Sequence, residues 1–368
     1  MMNTLQRLHA EQDQSPWIDF IDRQLIDSGK LAERVEMGIR GLTSNPTIFG
    51  KAVASGQYDD LIRREIAAGH KAREIFEEIE IADCGDAADV LRLVYEEADG
   101  ADGFVSIEVE PDLAENSDAT LERARHLWGR LARPNVFIKI PATPAGLPAI
   151  ESAIAEGINI NITLMFSVDV YRDVAHAYIE GLRRRRHAGG EIGRVASVAS
   201  FFVSRVDTKV DQALDAIGTP AALEARGQAA IANAKLAYHA YKEIFEGGEF
   251  DDLAADGARV QRCLWASTST KNPVYRDVMY AEELIGPKTV DTLPNETIEA
   301  FLDHGVVSRT LDVGLDEALA AIRAIESLGI RMETVTDELI VEGVASFTKS
   351  FEDLMGVIDA QRKALAPA

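Results

Sequence analysis

A single lysine interrupts an apolar run that otherwise has the composition of a buried β-strand. The run is Asn135–Thr143, NVFIKIPAT, in which Lys139 lies between two isoleucines. A buried ammonium is costly, so such a lysine reaches water at the strand end, forms an ion pair or becomes a neutral amine. A neutral amine is a nucleophile. Lys139 is therefore either an ordinary strand-end residue or the centre of a reactive site.

Seven other short apolar or β-branched runs recur along the chain, with helical patterns between most of them. Alternation of strands and helices predicts a parallel sheet, and eight such units favour a closed α/β barrel of the (β/α)8 type, a TIM barrel, over an open sheet. The eight runs are Trp17–Ile21, Gly41–Asn45, Phe104–Val109, Val136–Ile140, Ile158–Thr163, Val195–Phe202, Cys263–Thr268 and Thr289–Leu293.

The length of 368 residues fits one such domain, residues 1–368. The barrel is expected to cover about residues 15–305. Helical patterns continue to the end of the chain without another convincing strand, so residues 306–368 are predicted to form extra helices that pack on the barrel. A further helical segment is expected before the first strand.

Residue parity assigns polar side chains to the barrel interior, because successive residues of a strand face opposite sides. In the run around Lys139, Val136, Ile138 and Ile140 share one face and leave Lys139 on the other. Active sites of this fold lie at the carboxyl ends of the strands. Polar residues accumulate at the predicted ends: Asp19, Asn45, Glu108, Lys139, Asn161, Thr163, Ser200, Arg205 and Ser267. Together they predict a site rather than isolated structural groups.

Charge and cysteine content narrow the possible partners. The formal net charge of -23 argues against nucleic acid and against an anionic membrane surface, so any anionic substrate must be held by local cations. The basic cluster Arg183–Arg186 ends a helical pattern, where cations suit the helix dipole. The two cysteines, the polar start of the chain and the lack of a long apolar run predict a cytoplasmic protein.

Common signatures of cofactor chemistry are missing from the sequence. Histidine and cysteine spacings give no metal pattern, and neither a glycine-rich phosphate loop nor a GxSxG elbow occurs. No metal and no cofactor are therefore expected. The remaining set, an interior lysine with carboxylates, amides and hydroxyls, suits imine formation with a carbonyl compound.

Six segments of the chain resemble transaldolase, in its longer bacterial and plant-like branch. In order they are Gly41–Phe49 (GLTSNPTIF), Val105–Val109, Asn135–Thr143, Gly157–Ser167 (GININITLMFS), Ala199–Asp207 and Trp265–Pro273. The resemblance implies a class I aldolase barrel that transfers a dihydroxyacetone unit between sugar phosphates in the non-oxidative pentose phosphate pathway.

The resemblance also implies catalytic roles. Lys139 would form the Schiff base, and Glu108 would act as the acid/base through a water that Thr163 helps to hold. Asp19 would take the C4 hydroxyl proton during cleavage. Asp22 is the alternative to Asp19 because it follows closely in the same stretch, WIDFID; Asp19 is preferred because it is predicted to lie inside the first strand.

The resemblance also implies which residues would bind the substrate. Asn45 and Asn161 would hold hydroxyls of the three-carbon unit, with Ser200 beside them, and Arg205 and Ser267 would bind the phosphate.

The loop after Ser267 departs from the family pattern. Shorter members have an arginine two positions past the serine that corresponds to Ser267, whereas here Lys271 is the nearest cation on that loop. We expect Lys271 to supply the second phosphate contact, as a point charge; it is also the rival nucleophile, although a phosphate-paired lysine stays protonated.

Two other functions are also compatible with the sequence. One is an enzyme like fructose 6-phosphate aldolase that releases free dihydroxyacetone, and the other is a sugar-phosphate-binding barrel without turnover. The expected partners are small sugar phosphates, with no nucleic acid and no membrane. The sequence leaves a monomer and a homodimer equally possible.

Overall fold

Eight parallel strands close into a barrel in chain order. A computed structural model of the chain describes residues 2–366, without the side chains of Pro46 and Thr47; the outermost residues of the predicted domain, 1, 367 and 368, lie outside it. The strands are β1 (Gln14–Ile18), β2 (Gly41–Thr43), β3 (Phe104–Glu108), β4 (Val136–Pro141), β5 (Ile160–Met165), β6 (Ser197–Phe202), β7 (Arg262–Ala266) and β8 (Thr289–Leu293). The predicted (β/α)8 TIM barrel is confirmed.

Helices surround the barrel and continue beyond β8. They are α1 (Thr4–Gln12), α2 (Arg23–Asp27), α3 (Lys30–Glu36), α4 (Pro46–Ala54), α5 (Asp59–Ala67), α6 (Ala72–Val90), α7 (Arg92–Glu97), α8 (Ser117–Leu131), α9 (Gly146–Glu156), α10 (Val168–His187), α11 (Ser204–Ile217), α12 (Pro220–Glu224), α13 (Ala229–Phe245), α14 (Asp251–Ala255), α15 (Met279–Glu283), α16 (Asn295–His304), α17 (Leu315–Ser327) and α18 (Met332–Leu365). A single 3₁₀ turn, Pro111–Leu113, follows β3. In the described part of the chain, no helix combines the length and hydrophobicity needed to cross a membrane.

The first strand differs from its prediction. It begins at Gln14 and ends at Ile18, so Asp19 follows the strand instead of lying within it. The strand starts with two polar residues that the hydrophobic pattern misses, although they are buried. Gln14 Nε2 donates to the Leu284 carbonyl at 2.7 Å, and Gln14 pairs with Thr289 of β8.

Aromatic rings fill the barrel interior below the site. Phe104 and Phe137 stack with their centroids 4.2 Å apart, and Trp17 lies 6.1 Å from Phe137. Gly41 makes room for the indole, since a Cβ there would lie 2.3 Å from a ring atom of Trp17. Phe137 faces the barrel interior, and Lys139, two positions further along β4, therefore faces the same way, as the sequence predicts.

Strand register brings three predicted site residues into one row. Glu108 of β3 is the lateral partner of Lys139 of β4, and Lys139 is the lateral partner of Asn161 of β5. Neighbouring strands lie about 4.8 Å apart, so these three side chains start within reach of one another.

The last helix, α18, crosses the end of the barrel where the strands terminate. Near its start, Glu338 pairs with Lys209 of α11 at 2.8 Å. Near its end, Gln361 donates to Asp59 of α5 at 2.6 Å. α18 therefore spans the opening that we call the mouth, and it is anchored on both sides.

Candidate active site

A cavity of about 720 Å³ opens at the mouth of the barrel. This mouth cavity is where sequence and fold together predict a site. Eight of the predicted residues line it: Asp19, Asn45, Lys139, Thr163, Ser200, Arg205, Ser267 and Lys271. The other two, Glu108 and Asn161, lie immediately behind the lining and touch it through Lys139 and Ser200.

Lys139 reaches the floor of the cavity with its ammonium almost enclosed. The residue is 6% exposed, and Nζ donates to Glu108 Oε2 and to the Ser44 carbonyl, both at 3.1 Å. Burial raises the pKa of Glu108, while the adjacent Lys139 charge partly offsets that rise. A carboxyl group with a raised pKa beside an amine can pass a proton to and from groups on that amine.

Asp19 forms a second carboxylate at the cavity, held by the neighbouring strand. Thr43 Oγ1 donates to Asp19 Oδ1 at 2.8 Å, and the backbone N–H of Asp19 donates to the Leu293 carbonyl at 2.9 Å. Burial raises the pKa of Asp19, and the hydrogen bond from Thr43 together with the charges of Lys139 and Lys271 lowers it again in part. The side chain is therefore a positioned base.

Asp22 has a different task. Its Oδ1 accepts the Leu25 N–H at 2.7 Å and so caps α2, and its Oδ2 accepts from Gln57 at 3.4 Å. Asp22 also borders the cavity. Both Asp22 oxygens thus accept hydrogen bonds from other residues, whereas Asp19 Oδ2 accepts none among the described residues, which favours Asp19 as the base.

Amide and hydroxyl groups form the wall beside the lysine. Ser200 Oγ donates to Asn161 Oδ1 at 2.6 Å, and Asn161 Nδ2 donates to Ser106 Oγ at 3.0 Å. Asn45 borders the cavity from α4, where its Oδ1 accepts the Ile48 N–H at 3.2 Å and caps the helix. These groups are suited to holding hydroxyls of a ligand, because both their donors and their acceptors are fixed.

Thr163 is buried without a partner. Its Oγ1 has no hydrogen bond in residues 2–366, although the residue is 0% exposed and borders the cavity. The next residue, Leu164, has a left-handed φ of 57°, and the pairing of β5 with β6 shifts between Ile162 and Met165. The Thr163 hydroxyl is therefore free to bind a polar group in the cavity that it borders.

Cations occupy the outer part of the cavity. Arg205 packs over the Phe202 ring at 5.5 Å and forms no ion pair within the described chain, and burial lowers its pKa. Lys271 Nζ donates to Ser269 Oγ at 2.6 Å, and Ser267 shares a hydrogen bond of 2.8 Å with Ser204. An unpaired arginine beside a lysine and hydroxyls is a phosphate-binding arrangement.

Several lining residues escape the sequence-based prediction. Thr292 of β8 lines the cavity beside Thr43 of β2, with which it shares a hydrogen bond of 2.8 Å. Parity does not identify it, because it shares a face with Val290 while Thr289 and Asp291 form the other face. Ser346, Phe347 and Ser350 of α18 also line the cavity. No signal in the sequence marks them, since they lie far along the chain in an uninterrupted helix.

The donor set offers nothing to a metal ion. Across the described residues, no group of three or more His, Cys, Asp or Glu side chains is arranged to hold one. An enclosed amine, two carboxyls with raised pKa, fixed hydroxyl ligands and unpaired cations can instead convert a phosphorylated carbonyl sugar through an imine.

Comparison with known proteins agrees with this chemistry. Residues 16–358 match the family model described as transaldolase/fructose-6-phosphate aldolase. The chain is 47% identical over 370 residues to Transaldolase 2 of Nostoc sp., covering 97% of each chain. It is 46% identical over 364 residues to the transaldolase of Thermobifida fusca, covering 98% of this chain and 99% of that one. It is also 46% identical over 345 residues to the transaldolase of Mycobacterium bovis, covering 93% and 92%.

Proposed function

The chain belongs to the transaldolase/fructose-6-phosphate aldolase family, and on that premise we propose that it catalyses the transaldolase reaction. The reaction moves a dihydroxyacetone unit between sedoheptulose 7-phosphate with glyceraldehyde 3-phosphate and erythrose 4-phosphate with fructose 6-phosphate. The proposal places the protein in the cytoplasm, in the non-oxidative pentose phosphate pathway. Residues 1–368 act as one unit, because α18 packs on the barrel and also lines the mouth cavity.

Lys139 begins the reaction. Its amine attacks C2 of the ketose and forms a carbinolamine, whose hydroxyl leaves as water once it is protonated. Glu108, 3.1 Å from the amine, supplies that proton through a water held by Thr163. Loss of water gives the imine, which serves as the electron sink for the next step.

Asp19 triggers cleavage. The Asp19 carboxylate takes the proton of the C4 hydroxyl, and the C3–C4 bond breaks. The electron pair of that bond moves into the imine and gives an enamine on Lys139. Erythrose 4-phosphate leaves when fructose 6-phosphate is the donor. Asn45, Asn161 and Ser200 hold the hydroxyls of the retained three-carbon unit.

The second half runs in reverse. The enamine carbon attacks the aldehyde of the acceptor, Asp19 returns its proton to the new C4 oxygen, and hydrolysis of the imine frees the ketose. Arg205, Ser267 and Lys271 bind the phosphate of donor and acceptor alike, so both substrates share one orientation.

The observation that carries the proposal is the enclosed pair of Lys139 and Glu108 on adjacent strands, with Asp19 on the same cavity. A barrel that only binds sugar phosphates has no need for an amine next to two carboxyls with raised pKa. The competing aldolase reaction uses the same lysine, and it is distinguished by the release of dihydroxyacetone without an acceptor.

The test is trapping with borohydride. Incubation with fructose 6-phosphate and borohydride should add a three-carbon unit to Lys139, detected by peptide mass spectrometry. Lys139→Ala should abolish both the adduct and turnover in a coupled assay with fructose 6-phosphate and erythrose 4-phosphate. Lys271→Ala is the matched control, because it removes the lysine of the rival assignment and should leave the adduct on Lys139 in place. An adduct on Lys271, or none at all, would defeat the proposal.

A further inference from the structure

One wall of the mouth cavity comes from outside the eight-stranded barrel. Ser346, Phe347 and Ser350 of α18 border the cavity opposite the strand ends. With Gly343 they fall at positions i, i+3, i+4 and i+7, which form one face of a helix. This face of α18 is turned toward the site.

Gly343, the first residue of this face of α18, packs closely against the barrel. A Cβ at Gly343 would lie 3.1 Å from Leu164 Cδ2, so the helix approaches the end of β5 as closely as a glycine permits. Leu164 directly follows Thr163, the unsatisfied hydroxyl of the site. The wall is thus in contact with the strand end that carries the site.

Phe347 is the apolar member of the wall. It is half-buried, packs against the hydrophobic core and borders the cavity. The other aromatic residue of α18, Phe351, serves packing instead: it is buried and meets the Phe76 ring at 5.8 Å. Phe347 is therefore the aromatic residue that α18 contributes to the cavity lining, which also contains Phe20 and Phe202.

Water competes with the acceptor sugar at one stage of the proposed reaction. After the first product leaves, the enamine on Lys139 must wait for the second sugar. Protonation of the enamine carbon uses the electron pair that would otherwise form the new carbon–carbon bond, and it converts the enamine to an imine. Water then adds to C2, the C–N bond breaks, the amine takes back a proton, and dihydroxyacetone leaves.

We propose that Phe347 is a specificity-determining residue that favours transfer over release by keeping water from the enamine. The inference rests on the proposed function and deepens it. Phe347 borders the cavity from α18, on a wall that the barrel strands do not form, and the acceptor sugar displaces the remaining water when it binds. Ser346 and Ser350 border the cavity from the same face of α18.

The experiment measures two products from one reaction. With fructose 6-phosphate as donor, dihydroxyacetone release is followed without acceptor, and transfer is followed with erythrose 4-phosphate as acceptor, through the sedoheptulose 7-phosphate that forms. In Phe347→Ala the ratio of release to transfer should rise about tenfold, which corresponds to about 1.4 kcal/mol between the two barriers. Phe347→Leu, which keeps most of the apolar bulk, should shift the ratio by less.

Val341→Ala is the matched control. Val341 lies on the same helix, is 69% exposed and does not border the cavity, so its ratio should equal that of the wild type. Thermal unfolding shows which variants fold. If Phe347→Ala does not fold, Phe347→Leu and Phe347→Val decide the outcome.

The result that overturns the inference is an unchanged ratio in folded Phe347 variants, with transfer intact in the wild type. Failure of the proposed function is recognised separately, because the wild-type protein would then carry out no transfer at all.

Discussion

The two ends of the barrel use similar side chains in opposite ways. At the amino end of the strands, Asp102 is 3% exposed and fully engaged. It accepts from Arg40 at 2.8 Å, from Trp17 at 3.0 Å and from Ser15, and it lies 3.5 Å from Arg262. Although its burial acts to raise the pKa of Asp102, Arg262 and then Arg40 hold it below the ordinary value.

At the mouth, buried polar groups are left incomplete. Thr163 Oγ1 has no partner and Arg205 has no carboxylate among the described residues. The pKa of Asp19 and of Glu108 is raised, chiefly by burial. A substrate or a water that completes these contacts offsets such costs. The fully paired Asp102 therefore behaves as a structural group, whereas Thr163, Arg205 and Asp19 combine incomplete pairing with a place on the cavity, as expected of a binding site.

The largest effect is expected from breaking the saturated end. Asp102→Ala leaves Arg40 and Arg262 without their buried partner, so the free energy of unfolding should fall by about 3–5 kcal/mol. Urea denaturation measures it. Asp99→Ala is the control, since Asp99 is 80% exposed and pairs with Arg194 at the surface, where the loss should stay below about 1 kcal/mol. If both variants lost the same free energy of unfolding, Asp102 would not be the structural group that we infer.

Glu108→Gln should lower activity rather than stability. It keeps the shape of the side chain but removes the proton carrier beside Lys139, so kcat should fall about a thousandfold while the protein remains folded. The control is Glu110→Gln, two positions along, because Glu110 accepts from Arg123 at 2.7 Å and does not border the cavity. Glu110→Gln should lower stability and spare kcat. A Glu108 variant with normal kcat would contradict the assignment.

The unpaired cations should be separable by their geometry. Arg205→Ala should raise the KM for fructose 6-phosphate roughly 10- to 100-fold, because a charge-assisted contact contributes about 1.5–3 kcal/mol. Lys271→Ala should raise it only a few-fold, since a flexible point charge holds phosphate less specifically. Unphosphorylated fructose provides the control, because neither variant should change its KM. No change with fructose 6-phosphate would place the phosphate elsewhere.

The smallest effect concerns pH. Asp19 must be ionised to act as a base, so kcat/KM should fall as the pH drops through its raised pKa. Thr43→Val removes the donor that stabilises the carboxylate, so the pKa of Asp19 should rise further and the acid limb should move to higher pH by about one unit. Activity well above that pH should be unchanged.

Thr292→Val is the control for that shift. Thr292 shares a hydrogen bond of 2.8 Å with Thr43, but the bond from Thr43 to Asp19 does not depend on it. Its acid limb should stay close to that of the wild type. An acid limb that ignores Thr43→Val would belong to a group other than Asp19.

The sequence predicts the barrel well because each strand is marked by a pattern within a few consecutive residues. Each strand is a short apolar run, and its alternation tells which residues face inward, so the pattern alone assigns Lys139, Asn161 and Thr163 to the interior. The start of β1 escapes prediction because Gln14 is polar, and it is buried only through contacts with residues about 270 positions away.

The wall formed by α18 could not be predicted in the same way. Phe347 and Phe351 look alike in the sequence, four positions apart on one helix. Only the docking of α18 against β5 and α4–α6 separates a residue that faces the cavity from one that packs on Phe76. Long-range packing, which no local pattern encodes, decides between them.

The contact between Leu164 and Gly343 has a consequence for how relatives of this protein diverge. Leu164 holds a left-handed backbone that costs roughly 1 kcal/mol or more, and the absent side chain of Gly343 leaves it room. A side chain at position 343 therefore requires Leu164 to shift or to be replaced by a smaller residue. We expect relatives that carry a residue larger than glycine at that position to differ at the position of Leu164 as well.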